Sequence, residues 1–190
     1  LGLSGEGLTA IRSEIQATAD TYGKDFKETL EAVDTLTSQY GITAKNSLEV
    51  INEGFASGAD LNGDMISKIQ QYAPAFHDAG IGASQLVAIL QQTRSGIFSD
   101  KGLDLISMAS KRIREMSTAT AASLDAIGIS SKQVQKDLED GSKNTFDIIQ
   151  EVSAKLKTLP GDSKEVGEVL KDVFGKQGAA GGLEMIKSLD

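Results

Sequence analysis

Paired carboxylates are the residues of this sequence whose spacing comes closest to catalytic chemistry. Two carboxyl groups of this kind serve as acid and base, or as acid and nucleophile, in glycoside hydrolysis. The candidate groups are Glu28 with Glu31, Asp137 with Glu139 and Asp140, and Glu165 with Glu168. All lie near lysines in stretches of helical periodicity, without aromatic residues that would form a sugar platform. Because charged side chains are mostly exposed, we interpret them as solvated helix surface and predict that the protein is not an enzyme.

Two loops begin like ligand-binding motifs and then depart from them. The segment Asp60-Leu61-Asn62-Gly63-Asp64 opens like a calcium loop, but Met65 and Gln71 stand where a glycine and a bidentate glutamate are needed. A helix-capping turn is the better interpretation. The glycine-rich stretch from Gly175 lacks the spacing of a phosphate-binding loop. We therefore predict no catalytic, metal or cofactor site and no cofactor.

Composition removes several further classes of function. The chain has no Cys and a single His, His77, which excludes disulfides, thiol nucleophiles and multi-histidine metal sites. We expect His77 to supply charge or packing at a helix end. The net charge of −8 argues against nucleic-acid partners, which require a basic surface. No apolar run is long enough to span a membrane.

One dense basic cluster remains as a candidate partner contact. It consists of Lys111, Arg112 and Arg114, with Glu115 beside them. Such a cluster on one helix can meet an acidic surface of a partner protein. The alternative is an ordinary solvated helix face, because the neighbouring Ile106, Ala109 and Ile113 indicate a core-facing stripe.

The elements that position these residues are helices throughout. Apolar residues recur at intervals of three and four, as in Phe26, Leu30, Val33, Leu36 and Tyr40. No segment shows the alternation of a strand. Hydrophobic residues make up 39% of the 190 residues, enough for a real core. The sequence predicts an all-α fold, a compact array of about nine or ten short helices.

Glycine marks the ends of the predicted helices. One corner occurs three times, as Gly41-Ile42-Thr43, Gly80-Ile81-Gly82 and Gly128-Ile129-Ser130. Glycine ends a helix, isoleucine folds back on its last turn, and a small residue can cap the next helix. We predict one helical domain over residues 1–175, followed by a flexible Gly-rich segment and a short terminal helix over residues 176–190. The missing initiator Met and the abrupt end suggest a piece of a longer protein.

Three stretches resemble the tail tape-measure proteins of long-tailed bacteriophages and prophages. The resemblance begins near residue 41 and rests on the order and spacing of the stretches. Departures are the basic Lys176, where the family is often acidic, and the first forty residues. The stretches are residues 66–98, ending in Gly96-Ile97-Phe98-Ser99-Asp100-Lys101; residues 111–116 with 122–129; and Phe146-Asp147-Ile148-Ile149 with Leu170-Lys171-Asp172-Val173-Phe174-Gly175.

The resemblance implies a structural role in tail-tube assembly and length determination. It implies tube, tip and assembly-chaperone proteins as partners, together with self-association. It places the protein in the virion tail, and in the host cytoplasm during assembly. Two alternatives stay open: a cytosolic all-α adaptor that binds a partner helix, and a tail-associated cell-wall hydrolase module.

Overall fold

A computed structural model describes residues 5–92, 100–180 and 182–189. Within these ranges the chain forms helices and no strand. The helices are α1 (Gly5–Tyr22), α2 (Phe26–Tyr40), α3 (Ala44–Ser57), α4 (Met65–Asp78), α5 (Ala83–Gln92), α6 (Asp100–Glu115), α7 (Thr118–Ala126), α8 (Ser131–Glu139), α9 (Thr145–Thr158), α10 (Lys164–Asp172), α11 (Gly175–Ala179) and α12 (Leu183–Lys187).

The predicted all-α array of short helices is confirmed. Helices α1 to α10 each contain between 9 and 18 residues, and α11 and α12 are single turns of 5 residues. The apolar stripes that predicted the helices form the buried faces. Ile97 and the start of the phrase at Gly96 lie outside the described residues.

The chain divides into two compact units, residues 1–94 and residues 95–190. In the N-terminal unit, α2 packs against α4 and α3 packs against α5. Its core is aliphatic and aromatic, because the buried stripes of these helices converge. Fully buried residues include Ile15, Leu36, Ile51, Met65, Ile69, Phe76, Leu86 and Leu90.

The C-terminal unit is built in the same way from α6 to α12. Helix α6 packs against α9, and α7 packs against α10. Its fully buried residues include Leu103, Ile106, Ile113, Ile149, Val152, Leu156, Val169 and Phe174.

The last two helices occupy the Gly-rich end of the chain. Helix α11 lies in the stretch for which composition predicts flexibility, and the buried Gly178 packs close to the Leu170 carbonyl oxygen. The predicted terminal helix is present as α12. Ser153 Oγ of α9 donates to the Ile186 carbonyl oxygen at 2.6 Å, which ties α12 to α9. The predicted domain division at residue 175 stays a prediction.

All three predicted corners have glycine in the left-handed conformation, with φ of 64° at Gly41 and 79° at Gly80 and Gly128. At the second and third corners the isoleucine N–H donates back across the turn, from Ile81 to Phe76 and from Ile129 to Leu124. These bonds close a Schellman motif. Thr43 and Ser130 then cap α3 and α8, as predicted from their types.

Candidate interaction site

The predicted basic cluster lies at the end of α6, and its three members have different surroundings. Lys111 and Arg114 are exposed, whereas Arg112 is half-buried. Lys111 Nζ lies 3.9 Å from Glu115 Oε1, one turn further along the same helix. The cluster is therefore partly available to a partner and partly engaged within the chain. Its role as a partner contact stays a prediction.

Arg112 holds the end of helix α10. Its Nη1 atom donates to the carbonyl oxygens of Lys171 at 2.8 Å and of Asp172 at 3.1 Å. The last carbonyl groups of a helix have no partner within the helix, and they form the negative end of its dipole. A guanidinium at this position both satisfies them and neutralises that end.

Asp172 also connects helix α7 to the junction between α6 and α10, which we call the joint. Thr120 Oγ1 donates to the Asp172 carbonyl oxygen at 3.2 Å, and Ser123 Oγ donates to its carboxylate at 2.9 Å. Sequence analysis missed this role because the bonded residues are about fifty positions apart. The available signal was Asp172 in the phrase that ends at Phe174-Gly175.

An open groove lies at the first glycine corner, within the N-terminal unit. Its volume is about 420 Å³. One wall is helix α1, and the other is the corner between α2 and α3. The lining residues are Gly7, Ala10, Ile11, Glu14, Thr37, Gly41, Ile42, Thr43, Ala44 and Lys45. We call it the N-terminal groove.

A second open groove lies at the third glycine corner, within the C-terminal unit. Its volume is about 520 Å³. One wall is helix α9, and the other is the corner with helix α8. The lining residues are Gly128, Ile129, Ser130, Gln133, Val134, Asp137, Lys143, Glu151, Ala154, Lys155 and Thr158. We call it the C-terminal groove.

A buried carboxylate lies at the edge of the C-terminal groove. Gln133 Nε2 donates to Asp137 Oδ1 at 2.5 Å, and Lys143 Nζ lies 3.3 Å from Asp137 Oδ2. The Gln133 amide, supported by Lys143, lowers the pKa of Asp137. Lys143 also pairs with Glu151, and this hydrogen bond raises the pKa of Lys143. These side chains satisfy one another's hydrogen bonds and charges. Such an arrangement stabilises the structure more than it supports proton transfer.

The remaining carboxylate pairs lie on helix surfaces. Glu28, Glu31, Glu139, Asp140 and Glu165 are exposed. Glu168 is half-buried and lies 3.4 Å from Lys164. None of the five exposed groups is desolvated, so their surroundings do not favour acid–base chemistry.

The loop that opens like a calcium site holds a lysine. Lys24 Nζ lies 2.5 Å from Asp60 Oδ2 and donates to the Gly63 carbonyl oxygen at 3.2 Å. Asp60 Oδ1 accepts from the Met65 N–H at 3.0 Å. The N-cap residue of α4 is Asp64, whose side chain makes no capping hydrogen bond, so the turn caps the helix through the Asp60 carboxylate. In the described part of the chain, no group of three or more His, Cys, Asp or Glu residues is arranged to hold a metal ion.

His77 lies near the end of α4, where sequence analysis placed it. Its ring contacts Tyr40 edge-on, with 5.2 Å between the ring centroids. Tyr40 Oη donates to the Ala73 carbonyl oxygen at 3.3 Å, and burial raises the pKa of Tyr40. The histidine therefore contributes packing between α2 and α4.

Comparison with protein families gives one match. The profile of one family, described as phage-related minor tail protein, matches residues 1–175. The chain belongs to the phage-related minor tail protein family. The match includes the first forty residues, where the tape-measure resemblance is poor, and it extends through both grooves and the joint at Asp172. Comparisons with curated proteins and with solved structures gave no match.

Family membership gives this minor tail protein a structural role in a phage tail. Among its described helices, none combines the length and apolar character needed to cross a membrane.

Proposed function

We propose that this chain is the structural and assembly segment of a phage tail tape-measure protein, acting in tail-tube assembly and length determination. The observation that carries the proposal is the family match over residues 1–175. The tape-measure phrases near Arg112 and Phe174 support the finer assignment. They lie where Arg112 and Asp172 join α6, α7 and α10.

Helix geometry sets an upper bound on the length that such a segment could add to a ruler. A helix rises about 1.5 Å per residue, so 190 residues in one continuous helix would span about 285 Å. The longest helix among the described residues has 18 residues, or about 27 Å. We propose that the folded segment works beside the ruler, and that its glycine corners allow it to rearrange during assembly.

An in-frame deletion of residues 1–190 from the tail gene tests the proposal, with tail lengths measured by electron microscopy. Uniformly shorter tails, or loss of tails, are the expected results. A tandem duplication is the matched experiment: a segment that extends during assembly should lengthen the tails by up to about 285 Å, whereas one that stays folded beside the ruler should change the number of tails. Tails of unchanged length and number in both mutants would overturn the proposal.

We further propose that the segment has no catalytic activity and requires no cofactor. Its partners would be tube, tip and assembly-chaperone proteins and further copies of itself. It would act in the host cytoplasm during assembly and in the virion tail afterwards. The exposed carboxylates and the mutually satisfied Asp137, Lys143 and Glu151 support this proposal. Release of fragments from purified peptidoglycan by the chain would contradict it and favour the hydrolase alternative.

An adaptor that binds a partner helix is the second candidate function. The two grooves are the observation that favours it, since open apolar grooves receive amphipathic helices in many complexes. The deletion separates the candidates, because an adaptor that takes no part in length determination leaves tail length unchanged.

A further inference from the structure

The corner between α6 and α7 is strained at a residue that is not glycine. Met116 has a φ of 41°, whereas the other positive φ angles within the described ranges all belong to glycines. A left-handed residue that carries a Cβ atom is disfavoured by about fivefold to thirtyfold against the right-handed helix. Such a conformation persists where its surroundings hold it, and it is common in segments that switch between two states. The fold therefore keeps this corner bent against the preference of Met116.

The sequence on both sides of Met116 is compatible with one unbroken helix. Residues 103–127 contain neither glycine nor proline, the two residues that most oppose a helix interior. In a continuous helix Ile106, Ile113 and Leu124 would lie on one face, because spacings of 7 and 11 residues are close to two and three turns. At a glycine corner the opposite holds, because glycine relaxes the bend and opposes a continuous helix.

Helix α7 is held in place mainly by polar contacts. Its buried residues are Thr120, Ser123 and Leu124, so the leucine is the one large apolar side chain that α7 buries. Helix α6, by contrast, has a continuous apolar face. Its buried apolar side chains are Leu103, Leu105, Ile106, Ala109 and Ile113. Movement of α7 away from α10 therefore exposes little apolar surface.

The end of α10 is bonded to both sides of the corner. Arg112 lies four residues before Met116 and Thr120 lies four residues after it. Both side chains donate to the Asp172 carbonyl oxygen, at 3.1 and 3.2 Å. Ser123 adds a bond to the Asp172 carboxylate at 2.9 Å. We call these three bonds the clamp. Because one residue of α10 accepts from both α6 and α7, the clamp favours the bent corner.

We propose that the α6–α7 corner is a two-state hinge, which the clamp holds closed and which opens into one helix over residues 100–126 when the end of α10 is displaced. Opening removes the left-handed conformation of Met116 and replaces the capping bond of Ser117 with the backbone bonds of a continuous helix. A partner that draws α10 away from α7 would shift this equilibrium. The proposal deepens the assembly role and rests on it only for the occasion on which the hinge opens.

The distance between two spin labels tests the hinge in the complete chain. The chain has no Cys, so labels attach only at the introduced residues of Lys101→Cys and Ala126→Cys. Both positions are exposed and lie near the outer ends of α6 and α7. In one continuous helix they would be about 38 Å apart, and a bent corner brings them closer. Double electron–electron resonance should give the shorter distance for the chain with an intact clamp.

Removal of the clamp should produce the long distance. Arg112→Met combined with Thr120→Val deletes both donors to the Asp172 carbonyl oxygen and should add a population at about 38 Å. Arg114→Met combined with Thr118→Val makes the same changes at exposed positions nearby and should keep the short distance. Circular dichroism verifies that both double variants remain helical.

Glycine at position 116 separates a hinge from a general loss of packing. Met116→Gly relieves the bend and opposes the straight helix, so it should reduce the long-distance population of the clamp variant by about tenfold or more. Met116→Ala should keep that population, because alanine favours a helix interior.

The same glycine gives a readout that does not require the clamp variant to fold. With the clamp intact, Met116→Gly should raise the folding equilibrium constant by about threefold, since relief of the left-handed strain exceeds the entropy cost of glycine. Urea denaturation measures this change.

The proposal is overturned if the clamp variant is folded and keeps the single short distance. It is also overturned if Met116→Gly leaves the long distance in place, or if it lowers the stability of the chain with an intact clamp. None of these results depends on tail length, so the deletion experiment and the hinge can succeed or fail separately.

Discussion

Two buried serines in the C-terminal unit differ in whether the hydroxyl group has a hydrogen-bond partner. Ser110 on α6 and Ser153 on α9 are both fully buried. Ser153 Oγ donates to the Ile186 carbonyl oxygen at 2.6 Å, whereas Ser110 Oγ has no hydrogen-bond partner among the described residues. A buried polar group without a partner destabilises the fold, and a bonded one stabilises it.

Replacement of each serine by alanine should therefore have opposite effects. Ser110→Ala removes an unsatisfied hydroxyl and should raise the free energy of unfolding by about 1 kcal/mol. Ser153→Ala removes one hydrogen bond from the Ile186 carbonyl oxygen, which keeps the Leu189 N–H at 3.1 Å, and should lower the free energy of unfolding by about 0.5–1.5 kcal/mol. Urea denaturation followed by circular dichroism measures both. Equal losses in the two variants would show that packing, and not the hydrogen bond, decides these positions.

At the scale of the helices, close packing requires glycine at one position and leaves room for a side chain at another. A Cβ atom on Gly178 of α11 would lie 2.7 Å from the Leu170 carbonyl oxygen, which belongs to the backbone of α10. A Cβ atom on Gly167 of α10 would have no heavy atom within 4 Å. Helix α11 can approach α10 this closely because position 178 has no side chain.

The same substitution at these two glycines should move stability in opposite directions. Gly178→Ala should lower the free energy of unfolding by about 2–3 kcal/mol, because a backbone carbonyl cannot move aside cheaply. Gly167→Ala should raise it by about 0.5–1 kcal/mol, because alanine favours a helix interior. Thermal unfolding of the two variants provides the comparison. A stabilising Gly178→Ala would show that α11 does not pack tightly on α10.

Features that depend on neighbouring residues were predictable from the sequence. The corner at Gly128 follows from the order Gly-Ile-Ser, because the left-handed glycine, the fold-back of Ile129 and the cap by Ser130 involve residues within a few positions. The helices follow from the apolar period for the same reason.

Features that join distant residues were not predictable from one sequence. Arg112 was recognised as basic, but its acceptors on Lys171 and Asp172 lie 59 and 60 positions away. Composition predicts flexibility around Gly178 because it shows only that glycine has no side chain. It does not show the close approach to α10 that requires glycine at this position. The grooves were missed because alanine at an exposed helix position carries no signal until the opposite wall is known.

Across the whole molecule, acidic residues outnumber basic ones, and two aspartates in the C-terminal unit carry the clearest pH dependence. Asp125 accepts hydrogen bonds from the Ser131 N–H and hydroxyl at 2.8 and 3.0 Å. These bonds lower the pKa of Asp125 from its ordinary value of 3.8. The pKa of Asp137 is lowered as well. A carboxyl group with a lowered pKa stabilises the folded state above its unfolded pKa, and this contribution disappears as the pH falls through the folded pKa.

The free energy of unfolding should therefore be insensitive to these two groups at neutral pH and fall below pH 3.8. Asp125→Asn should make that acid-side fall shallower, because its amide no longer titrates. The measurement is a series of urea denaturation curves from neutral pH down to strong acid. Asp162→Asn, at an exposed turn position, is the control and should keep the full fall. An unchanged acid response of Asp125→Asn would contradict the assignment.

The contact of Lys24 with the Asp60 loop determines what a mutation of this lysine would change. Lys24 is a counter-ion that the chain itself supplies to the Asp60 carboxylate and the Gly63 carbonyl oxygen. A phage protein is exposed to different ion concentrations inside and outside a bacterium, whereas a lysine of its own chain is present in both. Loss of Lys24 by a single mutation would leave Asp60 and the Gly63 carbonyl oxygen without the cation that they now share. The conformation of this loop thus rests on a residue that lies 39 positions before Gly63 in the chain.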